Sequence, residues 1–379
     1  MNLNDFFELL VYLISICFLM FSLFIIAENF LIPNLENVSK LYNLKYFEGI
    51  LLGIGGSIPE LSTNLIATMK GNVELGIGAI SGSGAMVLIF CFGLAGLVNK
   101  KNGKLNFFVY LRDVFIYFGV IILLKLFLND KKIYFFQVCF MIMIFPIYVF
   151  IISCTKNLCK NKQENKEEKT EKEENLIEMK DIEQNPKLSK DINNKQNCPS
   201  STYQFIIKIY SYFLPKSESY PTLSFIINLL AIIMHSNSLI ILIEIISNLL
   251  KIEQSFLGMT LISWGDNIGD ILNAYILSKK NSMETLSSSL IGSQIFNILI
   301  CLNLPWFILL LKNKYFNGIN VNFIEINFNN FNSLLISVFS SIIIIILFCM
   351  KLNKINGFIL IVIYFCYLYY EFQLSKKNI

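Results

Sequence analysis

Long stretches of this chain of 379 residues carry almost no charge, and that one feature limits the fold more than any other. A run of about 20 apolar residues is the length that crosses a bilayer as a helix. Within lipid every backbone N–H and C=O must find a partner inside the same structure, so a chain of such runs folds as a helical membrane protein. Ten runs meet the criterion. Five lie over about 8–30, 46–69, 74–98, 106–128 and 132–154, and five over about 222–250, 255–278, 284–312, 331–350 and 355–374. Charged residues make up 15% of the chain, against about 25% in soluble domains. The first run lacks a basic leader and a small-residue cleavage site, so it reads as a retained helix.

The two groups of five are separated by a different composition. Between Cys154 and Pro199 lysines and acids alternate almost one for one, with few residues able to enter a core. The chain therefore divides into a first five-helix half (1–154), a polar, partly disordered linker (155–215) and a second five-helix half (216–379). The stretch Tyr203–Leu214 is too short to span and reads as interfacial.

The halves contain a repeat at a constant offset of 210 residues. Leu51 aligns with Leu261, Ile58 with Ile268, Glu60 with Asp270, Glu74 with Glu284, Gly82 with Gly292, Ser83 with Ser293 and Cys91 with Cys301. An odd number of spans per half gives the halves opposite orientation. The expected fold is an all-α multi-pass protein of ten transmembrane helices in two inverted-topology five-helix repeats.

The repeat pairs the rare acids of the apolar runs. Glu60 ends the motif Gly55-Gly56-Ser57-Ile58-Pro59-Glu60, and Asp270 ends Gly265-Asp266-Asn267-Ile268-Gly269-Asp270. A carboxylate at the bilayer centre costs about 2.5–3.5 kcal/mol on insertion scales, so such residues are functional by default. Ser57 and Glu60 share a face at i, i+3, as do Asn267 and Asp270, and Asp266 stands one turn before Asp270. Pro59 frees the carbonyl of Gly55, and Gly269 lets the second helix deform at the equivalent place. Ser83, Ser293 and Asn297 add oxygens from the following spans. Such a set of hard oxygens suits Ca²⁺, which takes six to eight ligands.

Other polar residues have plainer readings. Glu74 and Glu284 sit at span entrances and are wetted, Glu28 and Glu244 are weaker still, and His235 is a satisfied polar residue. Arg112 and Asp113 form a snorkelling anchor with its local partner. The cysteines lie mostly in apolar runs, and one His rules out a Cys/His zinc cluster. There is no basic face for nucleic acid and no nucleophile–base set for an enzyme.

The motifs GGSIPE and GDNIGD, the latter preceded by LISW, resemble the cation/Ca²⁺ exchanger superfamily. The likeness is nearest to the potassium-dependent and mitochondrial-type branches of the sodium/calcium exchangers. Ala27 through Glu36, and Leu111 through Tyr117, are similar to stretches of those branches. The resemblance implies alternating access around one midplane site, with no cofactor. By motif position the ligands would be Ser57, Glu60, Ser83, Asn267, Asp270 and Ser293, with backbone oxygens of Gly53 and Ser263. Asn297 falls where that family often has an acid or amide. Gly56, Asp266 and Val87 depart from the family pattern.

The function expected is a secondary antiporter in the lipid bilayer of a plasma or organelle membrane, exchanging Ca²⁺ for Na⁺, with or without K⁺. A proton-coupled divalent-cation (Ca²⁺/Mg²⁺/Mn²⁺) exchanger and a non-transporting membrane regulatory subunit are the alternatives.

Overall fold

A computed structural model of the chain describes residues 3–41, 56–99, 103–152, 201–215, 220–315, 323–326 and 351–377, with isolated positions between 335 and 346. It divides into two units, Met1–Ile142 with Ser211–Ile379, and Met143–Tyr210. Gly53, Gly55, the stretch 155–200 and most of the run 331–350 lie outside the described residues.

The described chain is helical with two short ribbons. Helix α1 (Leu3–Ile26) continues through a π turn, Ala27–Leu31, into α2 (Ile32–Leu41). After α3 (Ile58–Met69) comes α4 (Val73–Ala85), which runs through a π segment, Met86–Cys91, into α5 (Phe92–Val98). Strand β1 (Gly103–Lys104), α6 (Phe107–Phe127), β2 (Lys132–Tyr134), α7 (Phe135–Ile152) and α8 (Ser201–Phe213) follow. At 13 residues, α8 is about 20 Å long, short of the hydrocarbon thickness.

The second half opens with α9 (Pro221–Leu250). Next come α10 (Gln254–Leu257), a π turn at Gly258–Ile262, α11 (Ser263–Asp266) and α12 (Ile268–Lys279). Helix α13 (Met283–Phe296) continues through the π segment Asn297–Leu302 into α14 (Asn303–Tyr315), followed by β3 (Phe323–Glu325), β4 (Lys351–Leu352) and α15 (Lys354–Lys377). Strands β1 and β4 pair antiparallel, as do β2 and β3. These ribbons depart from an all-helical expectation, and they fasten loops where lipid no longer forbids strand edges.

Seven described helices are long and apolar enough to cross a membrane: Phe7–Leu35, Val73–Val98, Phe107–Phe127, Phe135–Ile152, Pro221–Leu250, Met283–Asn313 and Lys354–Lys376. The other three runs of the sequence explain the difference. The run 46–69 is described only as the 12-residue α3, 255–278 is not one continuous helix but short pieces, and 331–350 is mostly outside the described residues.

The 210-residue repeat is visible in the backbone. Ser57 (φ −98°, ψ 9°) and Asn267 (φ −92°, ψ 14°) break the helix at equivalent positions. Both occupy the sparsely allowed bridge region, where active-site residues are often found. The half-helices that follow, α3 and α12, are 12 residues each. Each ends in a left-handed residue, Gly71 (φ 85°) and Asn281 (φ 58°), the residue types that tolerate positive φ at a helix end. The closing bonds match as well. Asn72 N–H reaches the Ala67 carbonyl at 2.9 Å, and Ser282 N–H the Leu277 carbonyl at 3.0 Å.

The two turns lie at opposite ends of the helix Val73–Val98. The first opens that helix, while Asn281 in the second accepts from Asn99, just past its far end, at 3.2 Å. This helix is the centre of the structure, with nearly every residue buried. Around it, α9 packs on α1 and α3, and α15 packs along α5.

Candidate functional site

The two breaks bring the repeated acids together. Glu60 is in the first turn of α3 and buried, and both Asp266 and Asp270 act on it electrostatically, with the Asn297 amide beside it. Asp266 ends α11 and Asp270 is in the first turn of α12. Like charges that act on a buried carboxylate repel it unless a cation offsets them. Among the described residues none of the three acids forms an ion pair.

Hydroxyls hold the two aspartates, one from within the second half and one from across the halves. Thr63, one turn past Glu60, donates to Asp266 Oδ2 at 3.1 Å. Ser293 donates to Asp270 Oδ2, also at 3.1 Å. Ser83 faces Asn267 Oδ1 at 3.0 Å and Gln294 Oε1 at 3.1 Å, so the central helix touches both pieces of the second repeat through one hydroxyl. The Cys301 thiol points at the carbonyl of Ser57, with Sγ–O 3.6 Å. Glu28, in the first π turn, approaches from α1: a Cβ built on Gly269 would lie 3.4 Å from its Oε1.

Four atoms of this region are buried without a hydrogen-bond partner among the described residues. They are Glu60 Oε2, both amide atoms of Asn64 and Gln294 Nε2. Buried polar groups are nearly always satisfied, so a cluster of exceptions marks a place built to take something else. No three of the described His, Cys, Asp and Glu residues converge closely enough to hold a metal ion by themselves. An ion here would draw on carboxylates together with hydroxyl and amide oxygens.

The structure thus gathers Ser57, Glu60, Ser83, Asp266, Asn267, Asp270, Ser293 and Asn297 around the two breaks. Ser263 is placed differently from the expectation of a free backbone ligand. Its carbonyl already accepts from the Asn267 backbone N–H at 3.2 Å and from Asn267 Nδ2 at 2.6 Å. Thr63, Gln294 and Glu28 join the site without having been singled out for it. Helical spacing was the available signal: Thr63 is i+3 from Glu60, and Gln294 follows Ser293.

The plainer readings find local partners. The Arg112 guanidinium meets Asp113 Oδ1 at 2.7 Å, and His235 Nδ1 lies 2.8 Å from the Ala231 carbonyl. Thr63→Val should cut the hydroxyl bond that joins α3 to Asp266. Cation transport is expected to weaken about tenfold in apparent affinity, the equivalent of one charge-assisted hydrogen bond, measured by concentration dependence of flux.

Broken apolar helices, one buried and two half-buried site acids without basic partners among the described residues, and seven candidate spans define an integral multi-pass membrane protein of the cation-transport class. The family model described as "Sodium/calcium exchanger protein" matches residues 12–154 and 220–373, and the chain belongs to that family, which is one of transporters. Sodium/potassium/calcium exchanger 5 of Homo sapiens is 20% identical over 363 residues, covering 82% of this chain and 72% of that protein. Sodium/potassium/calcium exchanger 1 of Homo sapiens is 28% identical over 141 residues, which is 36% of this chain and only 13% of that protein. Among solved structures, native YfkE superposes with a TM-score of 0.55 at 12% identity, covering 98% of this chain and 96% of that one. The sodium-calcium exchanger NCX_Mj, soaked with Na⁺ and Sr²⁺, gives a TM-score of 0.50 at 14% identity, covering 94% and 98%. These two likenesses establish the fold.

Proposed function

We propose that the chain is a secondary antiporter that exchanges Ca²⁺ for Na⁺, with or without K⁺, by alternating access at the site between the two helix breaks. Ten spans in two inverted five-helix halves form the frame of this reading. The opposite placement of the two repeat turns on the central helix supports that frame.

One observation carries the reading: Glu60 feels the charge of both Asp266 and Asp270, and none of the three has a basic partner among the described residues. A site of that charge inside a membrane is costly to leave uncompensated. Filling it with one Ca²⁺, or with monovalent cations, offsets the charge. An empty site is then the form least able to change its facing, and that favours exchange over one-way leak. The sodium/potassium/calcium exchangers among its relatives support the choice of ions.

Asp266 favours a second reading. It adds a carboxylate to the pair, and its bond from Thr63 suits either an ionised or a protonated acid. Proton coupling is the chemistry this would serve. The deciding measurement is ⁴⁵Ca²⁺ uptake into proteoliposomes under separate Na⁺, K⁺ and H⁺ gradients. An outward Na⁺ gradient is expected to drive uptake. Uptake with a pH gradient alone selects the proton-coupled exchanger, and no uptake in any gradient overturns transport in favour of a regulatory subunit.

A further inference from the structure

One helical turn past Glu60, on the side away from the break, α3 carries a residue that the acid site does not use. Asn64 stands at i, i+4 from Glu60, so the two share a face of the half-helix. It is 2% exposed, and neither its amide oxygen nor its amide nitrogen has a partner among the described residues. Glu60 Oε2 is buried and unpartnered in the same way. Opposite Asn64 the central helix has Gly76, and a Cβ there would come within 2.6 Å of Asn64 Oδ1. The glycine makes room for the amide.

The second half has nothing equivalent. In the 210-residue register Asn64 corresponds to Ala274, which has no polar side-chain atom. The next turn pairs Thr68 with Ser278, whose hydroxyl is taken by the Ala95 carbonyl at 2.6 Å. Among the described residues, a buried polar side chain left without a partner therefore exists beyond the acids on α3 and not on α12.

We propose that Asn64 Oδ1 and Glu60 Oε2 form a second cation subsite, which takes a partly hydrated alkali-metal ion beside the main site. The donor set decides the charge of the occupant. One carboxylate and one neutral carbonyl, completed by water, are too little for a second Ca²⁺, which seeks six to eight oxygens with several charges among them. They suit a monovalent ion. The subsite rests on the antiport reading and deepens it: Glu60 is shared, so a monovalent ion at Asn64 competes with the main site for the same carboxylate.

The test uses the full chain in proteoliposomes and compares two modes. One is ⁴⁵Ca²⁺ uptake driven by a Na⁺ or a K⁺ gradient, and the other is Ca²⁺/Ca²⁺ exchange with choline as the sole other cation. Asn64→Leu is expected to raise the half-saturating concentration of the driving ion about tenfold, the loss of one ligand, and to lower the ratio of driven to Ca²⁺/Ca²⁺ exchange accordingly. The Na⁺ and K⁺ arms identify the occupant. Asn64→Ser keeps an oxygen and should recover most of the ratio. An unchanged cation dependence, or an equal loss in both modes, overturns the subsite. If Asn64→Leu fails to fold, Asn64→Ala against Asn64→Ser gives the same comparison. Glu60→Gln tests the reading beneath: if Ca²⁺/Ca²⁺ exchange survives it, the acid site itself is wrong, whatever Asn64 does.

Discussion

Asp270→Asn and Glu60→Gln are each expected to lower Ca²⁺ transport by at least about a hundredfold. Two unit charges 4 Å apart interact by about 4 kcal/mol at an effective dielectric constant of 20, and a tenfold change in affinity is 1.4 kcal/mol. Removing one carboxylate from a Ca²⁺ site thus costs two to three powers of ten before any change in geometry. The amides keep the shape and remove only the charge, so protein yield and helix content should hold. Asp270→Asn leaves Ser293 an oxygen to donate to, and Glu60→Gln keeps an amide in place of the carboxylate beside Asn297. The matched control is Glu74→Gln. Glu74 is exposed, as is its repeat partner Glu284, and its neutralisation should leave flux within about twofold. The measurement is ⁴⁵Ca²⁺ uptake at saturating and limiting Ca²⁺. Asp270→Asn with wild-type uptake would place the acids outside the ion path.

Asp266→Asn separates the coupling readings without needing a new assay. In a sodium-coupled exchanger it should weaken Ca²⁺ binding by less than Asp270→Asn does, since Asp266 is held by Thr63 from the opposite half. In a proton-coupled exchanger it should abolish uptake driven by a pH gradient while Ca²⁺/Ca²⁺ exchange persists.

What could be read from the residues was the repeated part. The register that pairs Glu60 with Asp270 also pairs the helix breaks at Ser57 and Asn267 and the left-handed turns at Gly71 and Asn281. Pro59 and Gly269 announce the breaks locally, whereas the left-handed turns follow the same register without having been read from it. The contacts between halves were not readable in the same way. Thr63 meeting Asp266, and Ser83 meeting both Asn267 and Gln294, join residues about 200 positions apart, and no local rule places them. The bond that the Ser263 carbonyl accepts from the Asn267 amide is equally non-obvious, since it arises only at the break. The π segments Met86–Cys91 and Asn297–Leu302 were also hidden, because no residue type marks an extra residue in a helical turn.

Glycines on the central helix and on the segment before the second break hold the site by close packing. A Cβ on Gly82 would overlap the backbone carbonyl of Met259, one on Gly78 that of Ser255, and one on Gly258 that of Leu75. The central helix and the segment leading to the second break therefore meet backbone to backbone along three reciprocal contacts. No flexible side chain stands there to yield. Gly82→Ala must either push the helices apart or move the π turn Gly258–Ile262, and Met259 in that turn also accepts the hydroxyl of Ser263, three residues before Asp266. Overpacking a tight interior costs about 1–3 kcal/mol, and against rigid backbone the upper end applies. Gly82→Ala and Gly78→Ala should each lower the melting temperature of the detergent-solubilised protein by roughly 3–4 °C. Flux should fall with it, since the turn that moves is the one that leads to Asp266. Gly119→Ala is the control, because a Cβ there meets nothing within 4 Å and α6 gains a better helix former. Equal melting temperatures for all three variants would mean that the central helix does not approach the broken one this closely, and the site would then lack the rigid wall that sets Ser83 against Asn267.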